Sequence, residues 1–171
     1  MKKIIVLAMV AGMFATSTVF AQQDKSKRAS PPASVKETLN SGTTVTIDYS
    51  QPSVKGRTIG QEIAPFGKVW RTGANEATSF EVTKAVKVDG KELAAGKYGL
   101  YSIPGEKEWV IIFNKKWNQS GTQYDEAEDA LRIKVKSAKA AAFTEKMTFT
   151  VDKGGKVALI WGDILVPFTV K

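Results

Sequence analysis

Neither histidine nor cysteine occurs in this 171-residue chain. Without histidine, a Ser-His-Asp triad, an imidazole metal ligand and the usual neutral-pH proton shuttle are all excluded. Without cysteine there is no thiolate nucleophile, thioether-linked haem, iron–sulfur cluster or conventional zinc site. No disulfide can form, so stability must come from apolar packing and sheet hydrogen bonds. Met147 is the only methionine clearly inside the folded region, and it sits at a core-like position. Helical pattern is scarce: Asp125–Ala130 suits one turn, and the alanine-rich stretch Ser137–Phe143 is too short to cover a sheet. Carboxylate, lysine, arginine, tyrosine and hydroxyl chemistry remains, and no cofactor is expected. The acidic group Asp125, Glu126, Glu128 and Asp129 lacks the spaced, glycine-punctuated ligands of a calcium loop. It reads as a solvated acidic turn, so no metal site is expected.

What the chain does have begins with an export signal. Lys2 and Lys3 precede an apolar run, Ile4 to Phe14, and Val19-Phe20-Ala21 places small residues at −3 and −1 of a cleavage site. Residues 1–21 are read as a cleaved bacterial signal peptide. The apolar run is too short to span ~30 Å of hydrocarbon comfortably, and no cysteine follows it to carry a lipid. The expected mature chain, Gln22 to Lys171, is periplasmic or secreted, with no transmembrane span. Loss of Lys2 and Lys3 lowers the formal charge from +8 to +6. The surplus is scattered along the chain, among acids in Lys84–Lys97 and in the separate stretch Lys134–Lys139, which argues against nucleic acid as a partner.

Residues 22–38 are polar, include Ser30-Pro31-Pro32, and read as an extended N-terminal arm. From Leu39 the period changes to two: Val45, Ile47 and Tyr49 alternate with Thr44, Thr46 and Asp48. Phe80 and Val82 repeat the pattern, and Val86 and Val88 lead into the hairpin signal Asp89-Gly90. Tyr98, Leu100 and Ser102 share one face of a strand, with Tyr101 and Ile103 on the other. Trp109–Phe113 is apolar on both faces, as for a doubly covered strand. Leu131, Ile133 and Val135 continue the series, followed by Met147, Phe149 and Val151, then Val157, Leu159 and Trp161. Gly162-Asp163 suggests a tight turn, and Pro167 an edge strand or bulge. About eight or nine short strands at hairpin spacing predict an all-β domain over residues 39–171: a single antiparallel β-sandwich or flattened barrel.

The densest cluster of recognition-type side chains is Val69–Thr78, holding Trp70, Arg71, Asn75 and Glu76 around Gly73. Arg71 can grip a carboxylate or phosphate through paired donors, and Trp70 offers a stacking face. Each has a structural reading too. Trp70 suits core packing, Arg71 and Glu76 suit mutual pairing, and Asn75 beside Gly73 suits a turn with positive φ. Lys115 and Trp117 lie in a loop after the doubly covered strand, and Lys55 and Arg57 follow the first strand. The stretches Asp48–Arg57, Pro65–Thr78 and Ala95–Trp109, continued through Ile112–Lys115, resemble a family of exported bacterial proteins common in Bacteroidetes, catalogued as domain of unknown function 2911. With the Ser30-Pro31-Pro32 lead-in, the resemblance spans nearly the whole mature chain. It implies compartment and fold, and supplies no mechanism.

The function expected is therefore an exported, non-enzymatic binding or envelope-structural module with an anion- or glycan-recognising loop around Trp70–Thr78. Its candidate ligand-binding residues are Trp70, Arg71, Asn75, Glu76, Arg57, Lys115 and Trp117. Its candidate partners are an anionic glycan, a peptide or an envelope component. The alternative is a carboxylate-dependent glycan hydrolase. That chemistry needs one protonated and one ionised carboxyl, ~5 Å apart for retention or ~6.5–9.5 Å for inversion. Glu76 is the one carboxylate nominated for it.

Overall fold

The computed structural model describes residues 24–171, so the expected leader lies outside it. Among the described residues the elements are β1 (Pro32–Thr38), β2 (Thr44–Ser50), β3 (Thr78–Val82), β4 (Val86–Val88), β5 (Lys91–Leu93), β6 (Gly96–Ile103), β7 (Glu108–Asn114), β8 (Asp129–Lys136), β9 (Ala138–Val151) and β10 (Lys156–Thr169). Only two 3-10 turns among the described residues, Lys25–Lys27 and Glu126–Glu128, are helical. No helix among the described residues is long and apolar enough to cross a membrane. Every strand pairing is antiparallel. The all-β expectation holds.

Six strands form one sheet in the order β1-β2-β3-β6-β7-β8, while β9–β10 and β4–β5 are separate hairpins. Alternation decides the faces. The register carries Val35, Ile47, Phe80 and Tyr98 across one row, and Leu100, Phe113 and Leu131 across another. All of them turn to the inner face. Over that face lie Met147, Phe149, Leu159, Trp161 and Phe168 from the long hairpin, and Val86, Val88 and Leu93 from the short one. Edge-to-face contacts lock the layers, with Tyr49 against Phe149 at 5.0 Å and Phe113 against Phe168 at 6.2 Å between ring centres.

Three local readings change. Residues 32–38 are not an arm: all seven pair with β2, and Ala33 and Val35 face inward beside Tyr49 and Ile47. The polar outward residues Ser34 and Lys36 had masked that short alternation. Ser137–Phe143 is not helical, because Ala138 and Lys139 pair with Leu165 and Ile164 and Ala140 is buried. Long-range pairing overrides alanine's local preference. Gly162, at φ 57, marks a register shift inside β10 rather than a turn. By contrast Asp89 and Gly90, at φ 44 and 83, form the expected two-residue hairpin.

Three of the four tryptophans meet at one end of the core. Trp70 stacks on Trp161 at 5.4 Å and 12°, and meets Trp109 edge-on at 6.2 Å. Its backbone exchanges two hydrogen bonds with Ser102, extending the sheet beyond β3. Trp70 is thus an anchor for the segment that follows it. Trp70→Ala is expected to lower stability by about 3 kcal/mol, the scale for truncating a packed indole. Denaturant midpoints at unchanged slope would measure this, and a loss under about 1 kcal/mol would return Trp70 to the surface.

Candidate functional site

The outer face of the sheet is polar across β1, β2 and β3, where register aligns its side chains, while on β6 and β7 it carries the buried Tyr101 and Ile112. Ser34 lies opposite Asp48, Asp48 opposite Ser79, Ser79 opposite Gly99, and Gly99 opposite Asn114. The Asp48 carboxylate accepts from Ser34 Oγ at 2.7 Å and from Ser79 Oγ at 3.4 Å. Lys97 Nζ stands 3.6 Å from Asp48 and 3.9 Å from Glu81. Gly99 has a specific role here: a Cβ at that position would sit 2.9 Å from the Lys116 carbonyl and 3.5 Å from Trp117 Cα. The loop after β7 therefore crosses the sheet directly over Gly99 and delivers Trp117 to the polar row. Trp117 is 41% exposed, with Lys97 Nζ 4.7 Å from its ring centre. The result is a groove of about 500 Å³, floored by Ser34, Asp48 and Ser79 and walled by Trp117 and Gln119.

One end of the groove is closed by the N-terminal segment. Arg28 Nη1 donates to both oxygens of Glu76, at 2.9 and 3.0 Å, and Lys25 Nζ lies 3.4 Å away. The Arg28 hydrogen bonds are the main reason the Glu76 carboxyl is lowered to about 2 from its ordinary 4.5. Asn75, at φ 60, turns the chain and donates its side-chain amide to the Ser30 carbonyl at 3.1 Å, tying the same segment down. Gly73 has no positive φ; it is small because a Cβ would come 2.7 Å from Thr78 Oγ1. Thr72 carries the unusual conformation instead, at φ 51, with its hydroxyl donating to Ser102 Oγ at 2.9 Å.

Arg71 lies across the crossing loop from the groove. It lines a smaller cavity of about 280 Å³ with Trp70, Tyr101, Gly121, Thr122 and Tyr124. Its Nε is buried with no hydrogen-bond partner. The loop itself is held by side chains. Gln119 donates to Tyr101 Oη at 2.8 Å, Tyr101 donates to the Gln123 carbonyl, and Asn114 donates to the Asp125 carbonyl. Asp129 accepts from Asn114, Tyr124 and Arg132 at 2.8, 2.7 and 2.6 Å. Burial, with Asp129 beside it, pushes the Tyr124 phenol up, and Asp129 raises Arg132. The acidic turn thus finds cations and donors within the fold. Among the described residues no group of three or more His, Cys, Asp or Glu is placed to hold a metal.

The sequence candidates are therefore divided among several places. Glu76 and Trp117 share the groove, and Asn75 sits at its closed end in a shallow depression with Arg28 and Ser120. Arg71 and Trp70 belong to the second cavity. Arg71 and Glu76 do not pair, since Glu76 is taken by Arg28 and Lys25. Arg57 caps its own loop, donating to the Val54 and Ser53 carbonyls at 3.1 and 2.8 Å. Lys115 lines neither the groove nor the arginine cavity. The groove residues that sequence reasoning passed over are Ser34, Asp48, Ser79, Lys97, Gln119, Arg28 and Lys25. Ser34, Asp48 and Ser79 are ordinary outward residues of alternating strands, and only their shared register marks them.

No curated protein and no solved structure matches the chain. A family model described as "Protein of unknown function (DUF2911)" matches residues 30–170, from just before β1 to the end of β10. The matched span contains the whole sandwich, the Val69–Thr78 segment and the loop that crosses Gly99, and the chain belongs to this DUF2911 family.

Proposed function

We propose that the chain is an exported, non-enzymatic binding module that holds a hydroxyl-rich glycan in the groove on the outer face of its six-stranded sheet. The observation that carries this reading is the pairing of an exposed indole, Trp117, with a floor of hydroxyl and carboxylate groups fixed by strand register. Indole stacks on the apolar face of a sugar ring, while a carboxylate and serine hydroxyls accept and donate to its hydroxyls. Rigid strands hold Ser34, Asp48 and Ser79, so little order must be acquired on binding.

Charge favours a neutral sugar in this groove over a polyanion. Its three cations, Lys25, Arg28 and Lys97, face the two carboxylates Asp48 and Glu76. Lys25 and Arg28 are engaged by Glu76, and Lys97 by Asp48 and Glu81. Hydrolysis fits less well, because a general acid must carry its proton at working pH. Glu76 is lowered to about 2 by Arg28, the opposite of the shift a general acid needs.

Titration calorimetry with neutral hexose and pentose oligosaccharides tests the reading. At least one should bind, and Trp117→Ala should weaken it by about tenfold, the upper range for an aromatic contact. The same substitution should change folding stability by no more than about 0.5 kcal/mol, since the indole is at the surface. Absence of binding across the panel, or binding indifferent to Trp117, refutes the groove as a glycan site.

A second expectation concerns the latch. A depressed carboxyl contributes stability that is present above its unfolded value and lost as pH falls through its folded value. The Arg28–Glu76 contact should therefore persist at neutral pH and fail only as the solution approaches pH of about 2. Carboxyl-carbon NMR should place the Glu76 midpoint there, and Arg28→Ala should return it toward 4.5. A midpoint unmoved by Arg28→Ala would remove the latch.

A further inference from the structure

The second cavity has the opposite electrostatic character from the groove. The described part of the chain contains four arginines, and three have defined partners. Arg28 is paired with Glu76, Arg57 with backbone carbonyls, and Arg132 with Asp129 and Tyr124. Arg71 alone among them presents a buried Nε with no acceptor. Among the described residues no carboxylate lines its cavity, whose other walls are Val69, Trp70, Tyr101, Gly121, Thr122 and Tyr124. A charged donor left without an acceptor is costly, and a guanidinium with no protein carboxylate beside its cavity is suited to an incoming anion.

The site is also shaped for Arg71. Gly121 lies against the guanidinium stem, where a Cβ would come 2.0 Å from Arg71 Cδ and 2.7 Å from the Asn75 carbonyl. Tyr101 and Tyr124 stand with ring centres 5.0 Å apart, and both are fixed by hydrogen bonds, Tyr101 to Gln123 and Tyr124 to Asp129. The nearest acidic network is therefore already committed elsewhere. At about 280 Å³ the cavity admits a compact group, not a polymer segment.

We propose that this cavity is a carboxylate-binding site, in which Arg71 grips the anion through its paired donors and the partly exposed Tyr124 flanks the attached ring. One guanidinium with no second cation suits a monoanion better than a doubly charged phosphate. The proposal stands on Arg71 and its walls and does not depend on the groove beside Trp117.

Calorimetric titration of the purified protein with glucuronate against glucose, and with benzoate against benzyl alcohol, tests it and separates a sugar acid from an apolar ring acid. At least one acid should bind ten times more tightly than its neutral counterpart. That preference should vanish in Arg71→Gln and fall at least fivefold in Arg71→Lys, which keeps the charge but loses the planar fork. Trp117→Ala should leave it intact, which distinguishes this site from the groove. Equal binding of acid and neutral partner, stronger binding of inorganic phosphate, or a preference that survives Arg71→Lys in a folded variant would each overturn the assignment.

Discussion

Burial of the inner face of the six-stranded sheet under the β9–β10 hairpin is the constraint from which the rest follows. With no helix for cover among the described residues, the apolar residues that pack under the hairpins must point to the same side, while Tyr101 and Ile112 are buried on the opposite face. Ile47, Phe80, Leu100, Phe113 and Ile133 point inward, and all are buried. Side chains alternate strictly, so Asp48, Ser79 and Lys97 are forced outward. A one-residue slip would drive Asp48 into the core and lift Ile47 into water, an exchange the fold cannot tolerate. The hydrophobic layer thus sets the position of a polar row on the far side of the same strands.

The segment between Trp70 and Thr78 shows how packing supports irregular backbone. Trp70 bridges Ser102 and Thr78 pairs with Leu100, so the chain leaves the sheet and rejoins it almost at once along β6. The residues between must loop outward. Thr72 and Asn75 adopt φ values of 51 and 60, unfavourable for a β-branched side chain in the first case. Such strain persists only where the surroundings over-determine it. Here the indole stack on Trp161 fixes one end, and the buried hydroxyls of Thr72 and Thr78 fix the other.

Much of the architecture was legible because period-two alternation is a strong signal. Val45–Tyr49, Phe80–Val82 and Leu131–Val135 all lie on strands whose inward residues match the reading. The Asp89-Gly90 hairpin was legible from turn chemistry alone. What failed was pattern hidden by composition: β1 behind a proline pair and polar outward residues, and the start of β9 behind alanines. The site was less legible than the fold. The Val69–Thr78 cluster drew notice because its side chains are chemically conspicuous, yet Trp70 packs inward and Glu76 pairs with Arg28, distant in sequence. Ser34, Asp48 and Ser79 carry no local signal. They become a surface only when three strands are placed in register, which depends on pairings across the whole domain.

The loop that crosses Gly99 separates two environments that one reading of the sequence had merged. On the Trp117 side, each cation faces a carboxylate, and the hydroxyl row offers both donors and acceptors. On the Gly121 side, Arg71 meets tyrosine rings and no acid. Paired ions attract polyanions weakly, whereas an unpaired, half-buried guanidinium attracts one anion strongly. An anionic ligand and a neutral, hydroxyl-rich one would therefore sort to opposite sides of the same loop. Loop position is set from below by two glycines: Gly99 lets the backbone approach the sheet, and Gly121 lets it settle over Arg71. Both environments thus depend on the absence of a side chain at positions that carry no functional group.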